Sequence, residues 1–192
     1  LWRHRHRERG LLTREAYEHI GGVAGALAQH ADATLEAIGR ERIEVVRELF
    51  RNLVTAEGTR ASRSRSELLA VFGEERETAE GVLDALIDAR LLTSYELATA
   101  DGADDGEETG DDRIEIIHES LLKNWPRLVR WQTQDADGAQ LRDQLRQAAR
   151  MWEEKGRPED LLWTGSSFKE YELWRERYAG GLSEAEEAFA RE

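Results

Sequence analysis

The chain has 192 residues, with 40 acidic against 27 basic side chains and a formal net charge of -13. It holds no cysteine, which excludes disulfides and thiolate chemistry. Its charge disfavours a phosphate backbone as partner, because such binding runs mainly through Lys and Arg. No apolar run approaches the roughly 20 residues that span a bilayer, and no signal peptide is visible, so a cytoplasmic setting is expected. A start on Leu1 rather than Met suggests a piece of a longer chain, or processing. Two prolines and abundant Ala, Leu, Glu and Arg favour a mainly α fold.

Residues 1–10 are basic through Arg3, Arg5, Arg7 and Arg9 and read as a solvated helix end. His4 and His6 are two apart and do not share a helix face, so they predict no metal site. Thr13 caps a short helix over 14–20. Gly21-Gly22 breaks it and lacks the further glycines and lysine of a phosphate loop. Val23, Ala26, Leu27, Leu35 and Ile38 predict an inward face on a helix over 23–38; His19 and His30 read as partly exposed. A stronger helix over 41–54 turns Ile43, Val46, Leu49, Phe50, Leu53 and Val54 to one side. Residues 55–64 read as a polar loop. Arg60, Arg63 and Arg65 make it basic, as a solvated loop or, alternatively, a phosphate patch. A short helix starts at Ser64 or Ser66, runs through Phe72 and ends at Gly73. Another over 75–90 buries Ala79, Val82, Leu83, Leu86 and Ile87.

The pattern then turns strand-like over 91–97 and again over 113–117. Between them, residues 101–112 are acidic and glycine-rich, and a mobile loop is expected. A calcium loop is rejected, because Ala103 takes a ligand position and no closing Glu falls in register. Short helices followed by a hairpin predict a winged helix with a small two-stranded β wing, flanked by helical segments. In a DNA-binding relative the third helix would read the groove. Here it presents Glu75, Glu77, Glu80, Asp84 and Asp88, which favours protein or intramolecular contacts. A DNA-binding regulator stands as the alternative, resting on the three arginines.

The stretch from Ile114 to Trp131 carries the sharpest functional reading. Ile114–Ile117 is a short β-branched run, and His118 stands at its end. Leu121, Leu122, Trp125, Leu128 and Val129 then recur at helical steps. Pro126 should kink or divide that helix. A break is expected over 135–138, followed by a helix over 139–154 with Leu141, Leu145, Ala148, Ala149 and Trp152 on one stripe. Gly156-Arg157-Pro158 ends it. A short turn or helix covers 161–164, and Ser166 starts a helix over 168–178. Trp163, Phe168, Tyr171, Trp174 and Tyr178 read as a small core rather than a ligand cage. Ser183 and Glu186 form a capping box for a last helix. No nucleophile elbow, zinc helix or Walker A loop is present, and Glu119 beside His118 lacks a placed nucleophile. The chain by itself is therefore not expected to be an enzyme. A plain interaction scaffold using the aromatic C-terminal helices is a third reading.

The run from Ile114 to Leu128, above all His118-Glu119 followed by Trp125-Pro126-Arg127-Leu128, resembles the winged-helix segment of bacterial STAND NTPases. These are multidomain signalling ATPases related to apoptosome and NOD-like immune receptors. Leu1-Trp2, Tyr17, Gly21-Gly22-Val23 and Gly25-Ala26-Leu27 extend the likeness upstream. Leu161 to Gly165, Leu182-Ser183 and Glu186-Glu187 are similar to the helical region that often precedes WD40-type repeats. The resemblance implies the end of a helical domain over 1–40, a winged helix over 41–131 and a helical extension over 132–192 toward a C-terminal sensor. It implies that His118 reaches the β-phosphate of ADP held by a separate nucleotide-binding domain and so keeps the protein inactive. Cofactors would be ADP or ATP with Mg in the parent protein, and none in this chain. Partners would be the intramolecular nucleotide and sensor domains, with oligomerisation on activation; no catalytic or metal-binding residue is assigned. The P-loop and Walker B acids of the family are missing from this sequence, so the chain alone should neither bind ATP tightly nor hydrolyse it.

Overall fold

The computed structural model describes residues 21–96, 112–178 and 180–191. The expectations for the basic segment, the Thr13 helix, His19 and the acidic stretch up to residue 111 lie outside them. The first helix, α1 (Gly22–Ile38), buries Ala28, Ala31, Leu35 and Ile38. Val23 was expected inward but is 53% exposed. Leu35 and Ile38 are buried as expected, and Ala28 and Ala31 complete the stripe. After a turn at Arg40–Arg42, α2 (Ile43–Asn52) buries Val45, Val46, Leu49 and Phe50.

The segment expected as a plain loop contains a strand. Val54 bridges to Arg60, and β1 (Arg63–Ser64) follows. Two residues are too few to show a strand period in sequence. Ser64 then caps α3 (Arg65–Ala70) reciprocally. The Glu67 N–H donates to Ser64 Oγ at 3.1 Å, and the Ser64 N–H donates to the Glu67 carboxylate at 2.9 Å. The next helix, α4 (Arg76–Asp88), buries Ala79, Val82, Leu83 and Leu86. Two strands, β2 (Leu92–Tyr95) and β3 (Arg113–Ile116), complete an antiparallel sheet of order β1-β3-β2. Leu92 pairs with Ile116, Tyr95 with Arg113, and Arg63 with Ile114. Where a two-stranded hairpin was expected, the sheet has three strands. Along β3, Ile114 and Ile116 are buried while Arg113 and Glu115 are not, as alternating side chains require.

Pro126 divides the next helical pattern, as expected. The short α5 (Ser120–Asn124) ends at Trp125, whose backbone is extended (φ -93, ψ 105), and α6 starts on Pro126. The ring presets φ at a position where the missing N–H has no helical partner to lose. By contrast, the break expected over 135–138 does not occur, because α6 runs unbroken over Pro126–Glu154, 29 residues. Two tertiary contacts explain this. Asp135 is held by Arg47 and Arg51, and Gly138 lies against the Trp174 indole, where a Cβ would collide. Gly138 is there for close approach, not as a helix stop.

Gly156 (φ 81) and Arg157 (φ 61) turn the chain into α7 (Gly165–Arg175), which starts one residue before the expected Ser166. The last helix is α8 (Glu184–Arg191). Its capping box is formed: the Ser183 N–H donates to Glu186 at 2.8 Å, and the Glu186 N–H donates to Ser183 Oγ at 3.3 Å.

Two hydrophobic clusters result. The larger joins α1 to α5, the sheet and the start of α6 around Trp125, which is fully buried. Its ring meets Phe50 edge-on at 5.4 Å and Trp131 at 5.8 Å. Truncating such a residue to Ala typically costs about 3–5 kcal/mol. The second cluster packs Leu145, Ala149 and Trp152 of α6 against Tyr171, Leu182 and Phe189. Trp163, Trp174 and Tyr178 border it, so these aromatics serve as core with Tyr171, whereas Phe168, expected among them, is exposed. Trp152 and Phe189 belong to it as well, facing each other at 5.7 Å.

Candidate functional site at the corner between β3 and α5

His118 sits where β3 hands over to α5, and its backbone is held on both sides. The Ile117 N–H donates to the Leu91 carbonyl at 3.1 Å, and the Leu121 N–H donates to the His118 carbonyl at 3.0 Å. The side chain is exposed. No hydrogen bond or ion pair engages the imidazole among the described residues. Glu119 does not serve it; its carboxylate is taken by Lys123 at 3.1 Å.

The Trp125-Pro126-Arg127 triplet has a structural role of its own. The Trp125 indole N–H donates to Asp32 at 3.0 Å, and Arg127 pairs with the same carboxylate at 3.4 Å. Asp32 thereby clamps α1 to the Pro126 corner. It went unnoticed in sequence, although a lone acid inside the Ala28, Ala31, Leu35 stripe was a signal. A second tie fixes α1 to the end of α4, where His30 Nε2 lies 2.6 Å from the Ala89 carbonyl.

The three arginines behind the phosphate-patch alternative are occupied. Arg60 donates to the Ile116 carbonyl at 3.1 Å. Arg63 lies 3.9 Å from Asp143; burial and the nearby Arg146 lower its pKa. Arg65 meets Asp84 at 2.6 Å and Glu80 at 3.3 Å. The acids of α4 stay exposed, as expected from Glu75, Glu77, Glu80, Asp84 and Asp88.

A buried charge network was missed altogether. Glu48, 7% exposed, accepts from the Tyr178 hydroxyl at 2.9 Å and from Asn52 Nδ2 at 3.1 Å, and it pairs with Arg51. Arg51 and Arg47 each reach Asp135 at 3.0 Å. Arg146 donates to Asn52 and lies 3.4 Å from Glu186. Burial lowers the Arg51 pKa, but Glu48 and Asp135 outweigh it, so the net shift is upward. Burial, reinforced by Glu48, pushes the Tyr178 hydroxyl up to about 12. Glu48, Arg51 and Asn52 read in sequence as an ordinary polar helix face, because their partners beyond α2 lie 84 to 130 residues away.

Residues 1–160 match the family described as Novel STAND NTPase 1. The chain belongs to that family. The match includes His118, the Asp32 clamp and all of α6, and it ends within the turn Glu159–Leu161. It is therefore a STAND NTPase-related region, as the residues from Ile114 to Leu128 suggested. No curated protein and no solved structure matched significantly. Among the described residues, no helix is long and apolar enough to cross a membrane.

Proposed function

We propose that this STAND region is the regulatory arm of a cytoplasmic signalling ATPase, distinguishing its ADP-bound from its ATP-bound form and holding the inactive one. The observation that carries this reading is the exposed, unengaged imidazole of His118 on a corner whose backbone is fixed. The order α2, β1, α3, α4, β2, β3 supports reading residues 41–131 as a winged helix. The flanking segments are then the end of a helical domain over 1–40 and an extension over 132–192 toward a C-terminal sensor, WD40-type in many relatives.

The chemistry required of His118 is one hydrogen bond. An imidazole N–H donates to a phosphate oxygen, more strongly when protonated. The described residues offer no glycine-rich cradle around that donor, so in this proposal a separate domain holds ADP or ATP with Mg. A bound nucleoside diphosphate supplies the negative charge that the latch senses. His118 adds a contact available only in the closed arrangement, which shifts the population toward it. A hydrogen bond to a charged group contributes about 1.5–3 kcal/mol, enough for roughly a ten- to hundredfold bias. Neither catalysis nor nucleic-acid binding belongs to this arm in the proposal; the paired arginines and the acidic α4 support that reading.

The test joins this chain to its nucleotide-binding domain and follows release of a fluorescent ADP. His118→Ala should speed release about tenfold or more and favour the assembled, active form. ADP release at the wild-type rate would refute the latch.

A further inference from the structure

We infer that the pocket between α2 and α6 binds a small organic carboxylate with a flat apolar body. The cavity measures about 300 Å³, the lower end of the range for small-molecule sites. Phe50, Val54, Leu128 and Trp131 supply apolar walls, and Arg142 lines the same space. Leu128, Trp131, Asp135, Ala139 and Arg142 recur at three- and four-residue steps, so one face of α6 presents them all.

Arg142 is the unexplained residue. It is 4% exposed, yet its guanidinium makes no hydrogen bond or ion pair with any described residue, and its buried Nε has no acceptor. A buried charge without a hydrogen-bonded partner is costly. Burial accordingly lowers its pKa, with Tyr178, Asp143 and Glu48 only partly opposing. Arg47 and Arg51 also line the pocket; both pair with Asp135, and Arg51 with Glu48 as well, although the Arg47 Nε, like that of Arg142, has no acceptor. Arg142 is thus the lining guanidinium without an ion pair among the described residues, and Glu57 sits at the exposed rim. One unpaired guanidinium matches a monoanion. A planar carboxylate matches the guanidinium fork, whereas a phosphate would bring a second charge with nothing to meet it. This proposal does not rest on the His118 latch.

The test is a titration of the 192-residue chain with phenylacetate, read by NMR at the Arg142 Nε–H and the Trp131 indole N–H. Saturable shifts with a dissociation constant on the order of 1 mM are expected. Phenylacetamide, the uncharged isostere, should bind about tenfold more weakly or worse, and inorganic phosphate should leave both signals in place. Arg142→Met should abolish the shifts. Ala139→Leu fills the cavity while keeping the guanidinium, and should abolish them even if the first variant fails to fold. His118→Ala should titrate as wild type. Absence of saturation, equal binding of phenylacetamide, equal shifts from phosphate, or unimpaired binding by Ala139→Leu would each overturn the assignment.

Discussion

Replacing Glu48 by Ala tests whether the buried charge network holds the two halves of the fold together. The carboxylate is the acceptor for three donors, from Tyr178, Asn52 and Arg51. Breaking a buried ion pair by removing one partner costs about 3–5 kcal/mol. Arg51 keeps Asp135, and Asn52 Nδ2 keeps the Glu48 backbone carbonyl at 2.9 Å. Only the Tyr178 hydroxyl loses its sole partner in the network, so the lower end, about 3 kcal/mol, is expected. Glu48→Gln preserves shape and one acceptor oxygen and should cost about 1–2 kcal/mol. Urea denaturation gives both values, provided the slope with denaturant stays constant. For a domain of this size, 3 kcal/mol lowers the melting temperature by about 6–12 °C. A double-mutant cycle with Tyr178→Phe should show coupling of about 1 kcal/mol. If Glu48→Ala falls within about 0.5 kcal/mol of wild type, as a surface change would, the network is not structural.

The raised Tyr178 pKa makes stability depend on high pH. Its folded value of about 12 stands above the ordinary 10.0, so the unfolded chain loses this proton first, and stability present below pH 10 falls as pH rises toward 12. The loss is about 2–3 kcal/mol, and Tyr178→Phe should flatten that part of the pH profile. Gly138→Ala should destabilise by about 1–2 kcal/mol despite better helix propensity, because Trp174 is stacked on Tyr178 at 4.5 Å and is not free to retreat; a raised melting temperature would contradict this. Ser64→Ala and Ser183→Ala should each cost about 1 kcal/mol in chemical denaturation, and near-additively, since the two caps share no partner. His118→Ala should leave thermal stability of this chain within about 0.5 kcal/mol, and a larger drop would show that the imidazole has a structural partner.

Local signals proved readable wherever one element carried them alone. Ser64 with Glu67 and Ser183 with Glu186 are caps written within four residues. The face of α4 follows from its own period, and Pro126 marks the division between α5 and α6. Whatever depended on a distant partner was misread. Gly138 and Asp135 look like a helix stop until Trp174 and the arginines of α2 stand beside them. Ser64 pairs with Arg113 across 49 positions, so the first strand has no signature of its own. At the candidate site, the strand-to-helix corner could be anticipated, but not the exposure of the His118 ring. For the Asp32 clamp the sequence offered only an acid beside an apolar stripe; its partner, 93 positions away, could not be read.

The length of α6 has a mechanical consequence. Its 29 residues span about 43 Å at 1.5 Å per residue, and both hydrophobic clusters are bolted to the same rod. The Pro126 corner lies only eight positions beyond His118. A tilt of about 10° there would swing the far end by roughly 7 Å. In the proposed latch, a push of atomic size at the imidazole would become, at the opposite pole, a stroke as wide as a side chain.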